Sequence, residues 1–273
     1  MKLVLLDLDN TLIDANYNLT APKDELCAVV RELASRDIHI GLCSDSAVIT
    51  LRQWTERLGL TGPIVAERGA VLWDAVEQTE EVLEISITGW FRELRELFIR
   101  EIMRDSPEAT IILGDATRIV KDRIFSAALT THVFAVNGFR TSSFSFFACR
   151  LEQNRPSLIP DAKLLANASR IVAKIVGSLG RNKNDLFWDE NPKYGILIIH
   201  ALSTEKWRGV STLIDRLKPE QTVMIGDSMS DFLGLPHVAQ YAVGNADPLY
   251  KDKSAFVAER SLTEGVIECL RQL

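Results

Sequence analysis

The stretch Lys2–Thr11, with the sequence KLVLLDLDNT, decides the fold prediction. After Lys2 it runs through four apolar residues and then changes abruptly at Asp7 and Asp9. A short apolar run that ends in carboxylates is typical of a buried parallel strand that delivers polar side chains at its carboxyl end. We therefore predict a first strand here, with a functional site directly after it.

Strand and helix patterns alternate after this strand. A helical pattern opens at Pro22, with Thr20 as its expected N-cap, and an apolar strand pattern follows at Ile38–Cys43. A second helix ends near Leu58, and a third strand pattern lies at Ile64–Ala66. The same alternation resumes near residue 203 and continues to the end of the sequence. This order predicts a parallel sheet with helices on both faces.

The pattern between residues 77 and 202 is different. A helix is predicted over Trp90–Arg104 and another from Pro160, among short strands that we expect to be antiparallel. We therefore predict an α/β fold: a Rossmann-like parallel-sheet core of residues 1–76 and 203–273, with an inserted α+β domain at 77–202. The short strand patterns are Thr110–Leu113, Val133–Val136, Ser143–Cys149, Leu186–Trp188 and Tyr194–His200.

Composition excludes several classes of protein. With 31 Lys+Arg against 37 Asp+Glu, the 273-residue chain has a net charge of -6 and no basic surface for nucleic acid or an anionic membrane. The longest stretch without Asp, Glu, Lys or Arg, Ile124–Phe139, is shorter than the roughly 20 residues of a membrane-spanning helix. Four scattered cysteines without a CxxC pair favour neither disulfides nor a zinc site. We expect a cytoplasmic protein without nucleic-acid or membrane partners, of undetermined oligomeric state.

Four acidic residues are expected to meet beyond the carboxyl ends of the strands, where chemistry gathers in open α/β sheets. Carboxylates brought around one point repel each other, and a hard divalent cation such as Mg²⁺ removes that repulsion. We therefore predict a magnesium site, the alternative being that these acids only form turns or cap helices. They are Asp7 and Asp9 after the first strand, and Asp227 and Asp231 after the strand Thr222–Ile225.

Asp7 and Asp9 have the chemistry that phosphoryl transfer requires. An ordinary aspartate is ionised at neutral pH, so Asp7 can act as a nucleophile without a separate base. Asp9 suits a general acid that protonates the leaving alkoxide and then activates water. We expect Thr11 to fix the turn and to orient Asp9 by a hydrogen bond, and Asn10 to accept a left-handed conformation.

Ser44 and Lys206 are candidates for binding an anion at this site. Ser44 supplies a hydroxyl after an apolar run, and a helix N-cap is its alternative or additional role. Lys206 lies in the first turn of a helix that Ser203 or Thr204 is expected to cap, where the helix dipole disfavours a cation. A lysine in that position is explained if it faces an anion, and the alternative is a solvated surface lysine.

These residues, in this order, resemble the four motifs of the haloacid dehalogenase (HAD) superfamily. The resemblance covers the predicted core at both ends of the chain. The motifs are Asp7-Leu-Asp9-Asn-Thr11, Ser44 after its apolar run, Lys206 with Gly209, and Gly226-Asp227-Ser-Met-Ser-Asp231.

The resemblance implies a role for each motif residue. Asp7 would be the phosphate-accepting nucleophile and Asp9 the acid/base. Mg²⁺ would be held by Asp7, the backbone carbonyl of Asp9 and Asp227, with Asp231 in support. The phosphoryl group would be bound by Ser44 and Lys206.

The spacing of the motifs indicates the type of cap. Ser44 follows Asp7 by 37 residues, whereas Lys206 follows Ser44 by 162. A long insertion at the second position is similar to members with a C2-type cap, the Cof-like, sucrose-phosphate-phosphatase-like and archaeal phosphoglycolate-phosphatase-like enzymes. Residues 66–70 (AERGA) and 243–246 (VGNA) resemble further signatures of that branch.

At three motif positions this sequence differs from the residue that is usual in that branch. Asn10 replaces a glycine, Ser230 replaces an asparagine, and Arg68 replaces an asparagine. We expect Arg68 to bind a second anionic group of the substrate, and a surface salt bridge is the alternative.

The cations of the inserted domain would line the substrate side of a lid or form a solvated sheet face. They are Arg118, Lys121, Arg123 and Arg140, with Phe139, Phe144, Phe146 and Phe147 nearby.

Other readings of the sequence are weaker. Cys149 and Arg155 match the C-x5-R spacing of cysteine-dependent phosphatases, but their loop lacks glycine. A receiver domain would leave the long insertion unexplained, and a non-catalytic phosphoester-binding scaffold would not need the full set of catalytic groups. A phosphomutase is the main alternative enzyme. We predict a Mg²⁺-dependent phosphatase that hydrolyses a small phosphorylated metabolite, of the sugar phosphate or phosphoglycolate class, through an aspartyl-phosphate intermediate.

Overall fold

The computed structural model describes residues 1–75, 77–121, 131–152 and 157–273. The chain forms two compact units, a core unit of Met1–Leu83 with Thr204–Leu273 and an inserted unit of Glu84–Ser203. The first boundary lies after Leu83, beyond the predicted residue 76, because a strand at Thr79–Val82 pairs within the core sheet.

The regular elements are numbered along the chain. The strands are β1 Lys2–Leu6, β2 Ile38–Cys43, β3 Ile64–Ala66, β4 Val71–Asp74, β5 Thr79–Val82, β6 Thr110–Gly114, β7 His132–Asn137, β8 Ser143–Glu152, β9 Ser157–Pro160, β10 Leu186–Asn191, β11 Ile196–Ala201, β12 Gln221–Gly226, β13 Val238–Ala242 and β14 Phe256–Val257. The helices are α1 Lys23–Ser35, α2 Val48–Leu58, α3 Ile85–Asp105, α4 Ala116–Lys121, α5 Ala162–Ser178, α6 Lys206–Leu217, α7 Pro248–Lys251 and α8 Leu262–Leu270.

The core sheet has the strand order β14-β13-β12-β1-β2-β3-β4-β5. The pairs from β14 to β3 are parallel, which confirms the predicted α/β class with a parallel-sheet core. Strands β4 and β5 are antiparallel additions that the sequence interpretation missed. Their direction follows from the short connection after β3, since a parallel partner needs a crossover of a dozen or more residues.

Register explains why one edge of this sheet carries the polar residues. Leu6 at the end of β1 lies beside Ile225 of β12 and Leu42 of β2. These side chains are completely buried, as expected for strands covered on both faces. The residues that follow them, including Asp7 and Asp227, therefore emerge at the same edge.

The inserted unit contains a six-stranded sheet in the order β10-β11-β8-β7-β6, with β9 paired to β8. Residues of α3 and α5 share an apolar core with this sheet, consistent with an α+β domain. The expectation of antiparallel strands is wrong for β6 and β7, which are parallel. The segment between them is long enough for such a crossover and includes α4.

Several helix boundaries differ from the predictions. Pro22, rather than Thr20, occupies the N-cap position of α1. Glu205 occupies that position in α6, one or two residues after the expected cap. After β12 the chain forms a short 3-10 turn at Met229–Asp231. In the described part of the chain, none of the helices has the length and apolar character needed to cross a bilayer.

Candidate active site

Lys206 lies among the acidic residues, as the first residue of α6. Its ammonium donates a hydrogen bond of 2.7 Å to Oδ1 of Asp7 and one of 2.6 Å to Oδ1 of Asp231. Only 5% of Lys206 is exposed, which excludes a solvated surface lysine. Burial lowers the pKa of Lys206, but the charges of Asp231 and Asp7 outweigh this and raise it well above its ordinary value. Lys206 is therefore a buried cation between two carboxylates.

Asp7 follows β1 directly and is buried. Its backbone NH donates to the carbonyl of Ile225 at 2.9 Å, so the pairing of β1 with β12 fixes its position. Burial and the charge of Asp231 raise the pKa of Asp7 well above its ordinary value, while Lys206 acts in the opposite direction. The net effect disfavours the ionised form that a nucleophile needs, and positive charge near this carboxylate acts to restore that form.

Asp231 is fully buried and already accepts several hydrogen bonds. Its Oδ2 accepts from the backbone NH groups of Asp227 and Ser228, each at 3.1 Å, and from the Ser228 hydroxyl at 3.3 Å. Its Oδ1 accepts from Lys206. These bonds fix the turn that carries Asp227, which fits the supporting role predicted for Asp231.

Thr11 has a different partner from the one predicted. Its hydroxyl donates to Oδ1 of Asp227 at 3.2 Å, whereas we expected it to orient Asp9. Thr11 is fully buried, so this bond holds the first motif against the last one inside the protein. Burial and the charge of Asp231 raise the pKa of Asp227 to about 6.

Three carboxylates form a group that could hold a metal ion. Asp7, Asp227 and Asp231 each offer one oxygen, and these oxygens lie within 4.8 Å of one another. Three acids beside one lysine place excess negative charge in a largely buried site, and their oxygen donors suit a hard divalent cation. The residues present therefore fit the predicted Mg²⁺. The backbone carbonyl of Asp9 remains a predicted ligand.

Asp9 lies beside this group and is partly buried. The Ser46 hydroxyl donates to its Oδ2 at 3.4 Å. Burial raises the pKa of Asp9 above its ordinary value, which favours the protonated form required of a general acid. Asn10, the next residue, has the predicted left-handed conformation, with φ of 61°.

Ser44 is buried directly after β2. Its hydroxyl accepts a hydrogen bond of 3.2 Å from the backbone NH of Ser46, and its own NH donates to the carbonyl of Val65. Ala47, not Ser44, occupies the N-cap position of α2, so the simple N-cap interpretation is wrong. The structure holds Ser44 rigidly at the sheet edge that carries the acidic residues, while its role in binding a phosphoryl group remains a prediction.

Arg68 lies in a turn that packs beside the start of α6. Its Nη1 is 3.3 Å from Oδ2 of Asp45, so the ion pair of the alternative interpretation is present, although partly buried. Binding of a substrate anion by Arg68 remains a prediction. A Cβ on Gly69 would meet the carbonyl oxygen of Glu205 at 2.3 Å and Cα of Lys206 at 3.2 Å. The glycine therefore permits the close approach that positions Lys206.

The cations of the inserted unit have varied surroundings. Arg140 is buried and donates to the Ser143 hydroxyl at 2.8 Å, so it does not belong to a solvated sheet face. Lys121 lies over the ring of Tyr194 at 5.9 Å. Phe144, Phe146 and Phe147 are buried, whereas Phe139 is half exposed. Arg118 belongs to α4, and Arg123 lies outside the described residues.

Cys149 does not have the properties of a catalytic thiol. It is completely buried within β8, paired with Val133 of β7 and Pro160 of β9. Burial, with a contribution from the charge of Asp161, raises the pKa of its thiol to about 12, so the nucleophilic thiolate is strongly disfavoured. Arg155, the other half of the C-x5-R pattern, lies outside the described residues.

Ser46 is a site residue to which the sequence analysis gave no role. It contributes a hydroxyl to Asp9 from the loop that follows β2. Position alone was a weak signal, because serine is frequent in such loops as a turn-forming residue.

Comparison with known proteins finds one matching family model. Residues 4–117 match the family of haloacid dehalogenase-like hydrolases, a segment that contains the motifs of Asp7 and Ser44. Over this segment, 114 of the 273 residues, the chain is similar to haloacid dehalogenase-like hydrolases. This confirms the predicted superfamily, with a C2-type cap, and the prediction of a phosphoric monoester hydrolase.

Individual proteins resemble the whole chain. The 5-amino-6-(5-phospho-D-ribitylamino)uracil phosphatase YcsE of Bacillus subtilis is 19% identical over 274 residues, covering 99% of this chain and 95% of that protein. A HAD-like hydrolase from Bacteroides thetaiotaomicron has the same fold, with a TM-score of 0.66 and 14% identity over 99% of this chain and 98% of its own. A protein from Thermoplasma acidophilum gives a TM-score of 0.64 at 16% identity, covering 100% of this chain and 97% of its own.

Proposed function

We propose that this HAD protein is a cytoplasmic, Mg²⁺-dependent phosphatase of a small phosphomonoester, of the sugar phosphate or phosphoglycolate class. The observation that carries the proposal is the position of Lys206, hydrogen-bonded to both Asp7 and Asp231 beside Asp227. A buried cation next to a nucleophilic carboxylate reduces its repulsion from a phosphate dianion. The acidic chain charge and the phosphatase name of the B. subtilis relative agree with a small phosphorylated substrate.

In the first step, a carboxylate oxygen of Asp7 attacks phosphorus. The bond between phosphorus and the ester oxygen breaks, and Asp9 gives its proton to the leaving alkoxide. Lys206 and Ser44 bind oxygens of the phosphoryl group while it is transferred. The products of this step are the free alcohol and an aspartyl-phosphate at Asp7.

In the second step, Asp9 is deprotonated and accepts a proton from water. The water oxygen attacks phosphorus, the bond to Asp7 breaks, and inorganic phosphate leaves with the Asp7 carboxylate restored. Thr11 and Asp231 hold Asp227 in place throughout. Asp7, Asp227 and the backbone carbonyl of Asp9 would hold Mg²⁺, which supplies positive charge against the phosphoryl oxygens when it is bound.

A phosphate-release assay tests this function. We expect turnover of p-nitrophenyl phosphate and of members of a panel of phosphorylated metabolites, loss of activity after EDTA treatment, and recovery on adding Mg²⁺. Asp7→Asn should abolish turnover because an amide is not a nucleophile of this kind. Substantial activity in that variant, or full activity in EDTA, would contradict the proposal. Product analysis with a sugar phosphate separates hydrolysis from the transfer expected of a phosphomutase.

A further inference from the structure

Residues 8–13 form a closed turn around Asp9, which we call the Asp9 turn. The carbonyl of Leu8 accepts from the NH of Leu12 at 2.9 Å and from the NH of Ile13 at 3.0 Å. These three side chains are fully buried. The place of Asp9 in the protein therefore depends on the groups that hold this turn.

Asn245, in the loop after β13, is bonded to the Asp9 turn through its side chain. Its Nδ2 donates to the carbonyl of Asn10 at 2.7 Å, and its Oδ1 accepts from the NH of Leu262 at 2.8 Å. The second bond fixes the orientation of the amide, since only its oxygen can accept from an NH. It also gives a partner to an NH at the start of α8, where the helix itself supplies none. Asn245 therefore links the Asp9 turn to α8.

Thr263, in the first turn of α8, is bonded to the same loop inside the protein. Its hydroxyl donates to the carbonyl of Leu12 at 2.7 Å and accepts from the NH of Thr20 at 2.9 Å. Because Leu12 and Thr263 are fully buried, losing the hydroxyl would leave a buried carbonyl without its donor, which is costly. Thr263 therefore joins the Asp9 turn to the far end of the loop that follows it.

The loop that carries Asn245 also contacts the second acidic motif. The NH of Asp247 donates to the carbonyl of Asp227 at 2.7 Å, and the NH of Val243 donates to the carbonyl of Gly226 at 3.2 Å. One loop is thus hydrogen-bonded to both turns that carry the acidic residues. Through its bond to the Asp9 turn, Asn245 sets the position of that turn relative to Asp227.

Asp7 is held in a different way. Its NH donates to the carbonyl of Ile225 at 2.9 Å, which continues the pairing of β1 with β12. The bonds of Asn245 and Thr263 lie on the other side of Asp9 in the sequence. Loosening the Asp9 turn should therefore displace Asp9 more than the nucleophile.

We infer that Asn245 and Thr263 are positioning residues that hold Asp9 at the leaving oxygen of the substrate. They act through the backbone of the Asp9 turn and do not contact the reacting atoms. The inference rests on the proposed function, in which Asp9 is the general acid. A small displacement of such a group is costly, because proton transfer requires a close and aligned approach. Removing either side chain should impair protonation of the leaving alkoxide more than the attack by Asp7.

Two substrates with different leaving groups, measured at saturating Mg²⁺, separate these effects. An aliphatic phosphomonoester needs a proton on its leaving oxygen, whereas p-nitrophenolate leaves with little need of one. The value of kcat/KM reports the steps up to formation of the aspartyl-phosphate, so the ratio of the two esters isolates the acid role of Asp9. The variants are Asn245→Ala, Thr263→Val and Thr263→Ser.

Two control variants, Thr55→Val and Asn167→Ala, match these changes in side chain and exposure. Thr55 is a buried threonine of α2, and its hydroxyl has no hydrogen-bond partner among the described residues. Asn167 of α5 is exposed, as Asn245 is. Both controls should keep the wild-type ratio.

We expect Asn245→Ala and Thr263→Val to lower kcat/KM for the aliphatic ester by about tenfold more than for the aryl ester, mainly through kcat. Thr263→Ser keeps the hydroxyl and should restore the wild-type ratio. Amide hydrogen exchange in the metal-free protein gives a second measurement, independent of turnover. Exchange should become faster at Thr20 in Thr263→Val and at Leu262 in Asn245→Ala, because each NH loses its acceptor.

Equal losses on both esters, or a wild-type ratio in either folded variant, would overturn the inference while leaving the proposed function in place. Unchanged exchange at Thr20 and Leu262 would overturn it as well. If Thr263→Val does not fold, the exposed change Asn245→Ala decides the result. A wild-type protein inactive on both esters would overturn the proposed function itself.

Discussion

The hydroxyl of Thr11 donates a hydrogen bond of 3.2 Å to Oδ1 of Asp227, which lies 216 residues further along the chain. The bond joins the turn after β1 to the turn after β12, two strands that pair in parallel in the core sheet. It orients one carboxylate of the group that could hold a metal, so Thr11 controls the donor set without belonging to it.

Replacing Thr11 tests this relationship. Thr11→Val keeps the shape of the side chain but removes the donor, and we expect the Mg²⁺ concentration for half-maximal activity to rise by about 10–100-fold, the usual effect of losing such a partner. Thr11→Ser keeps the hydroxyl and should stay near wild type. A titration of phosphate release against Mg²⁺ measures both variants, and identical curves for them would contradict the assignment.

Lys206→Met should abolish phosphatase activity and destabilise the core unit. The substitution leaves Asp7 and Asp231 buried without their common cation, and breaking a buried pair on one side costs about 3–5 kcal/mol. Urea unfolding gives the free energy, and phosphate release gives the activity. The matched control is Lys23→Met at the exposed start of α1, for which we expect a change within about 0.5 kcal/mol and normal turnover. Comparable effects of the two changes would show that Lys206 is not the buried cation described here.

Gly69→Ala should impair both stability and activity. The glycine has φ of 88°, and an added Cβ would lie 2.3 Å from the carbonyl oxygen of Glu205, so the start of α6 would have to shift. We expect a loss of about 1–3 kcal/mol and a lower kcat, because Lys206 begins that helix. Gly177→Ala in α5 is the control, since a Cβ there meets nothing within 4 Å and alanine favours a helix. If Gly69→Ala unfolds and turns over like wild type, the turn does not position Lys206.

Acid should remove the contribution of one surface ion pair. The hydrogen bond from Arg216 holds the pKa of Glu81 below its ordinary value, so the pair stabilises the fold at neutral pH and this stabilisation is lost as the pH falls through the lowered pKa. Both side chains are about half exposed, so we expect at most about 0.5 kcal/mol. The difference in unfolding free energy between wild type and Glu81→Gln should disappear once the pH lies below the lowered pKa of Glu81. A difference that persists in acid would assign the effect of Glu81 to packing.

Much of the fold was predictable because its signals are local. Apolar runs such as Ile38–Cys43 and Ile64–Ala66 are the observed strands, since strands buried on both faces need continuous apolar sequence. Gly59 ends α2 with φ of 67°, as a helix stop requires. The edge hairpin of β4 and β5 was missed because Thr79–Val82 is polar and exposed and has no apolar alternation.

The sequence by itself determined which residues could take part in catalysis and their order along the chain. This was possible because the apolar residues of each buried strand and the polar residues that follow it are neighbours in the sequence. Only the tertiary structure decided which side chains meet. Thr11 bonds to Asp227 rather than Asp9, Lys206 bridges Asp7 and Asp231, and Ser46 reaches Asp9. The physical reason is that these contacts join segments brought together by sheet pairing and helix packing, so the direction of each side chain depends on partners far away in sequence.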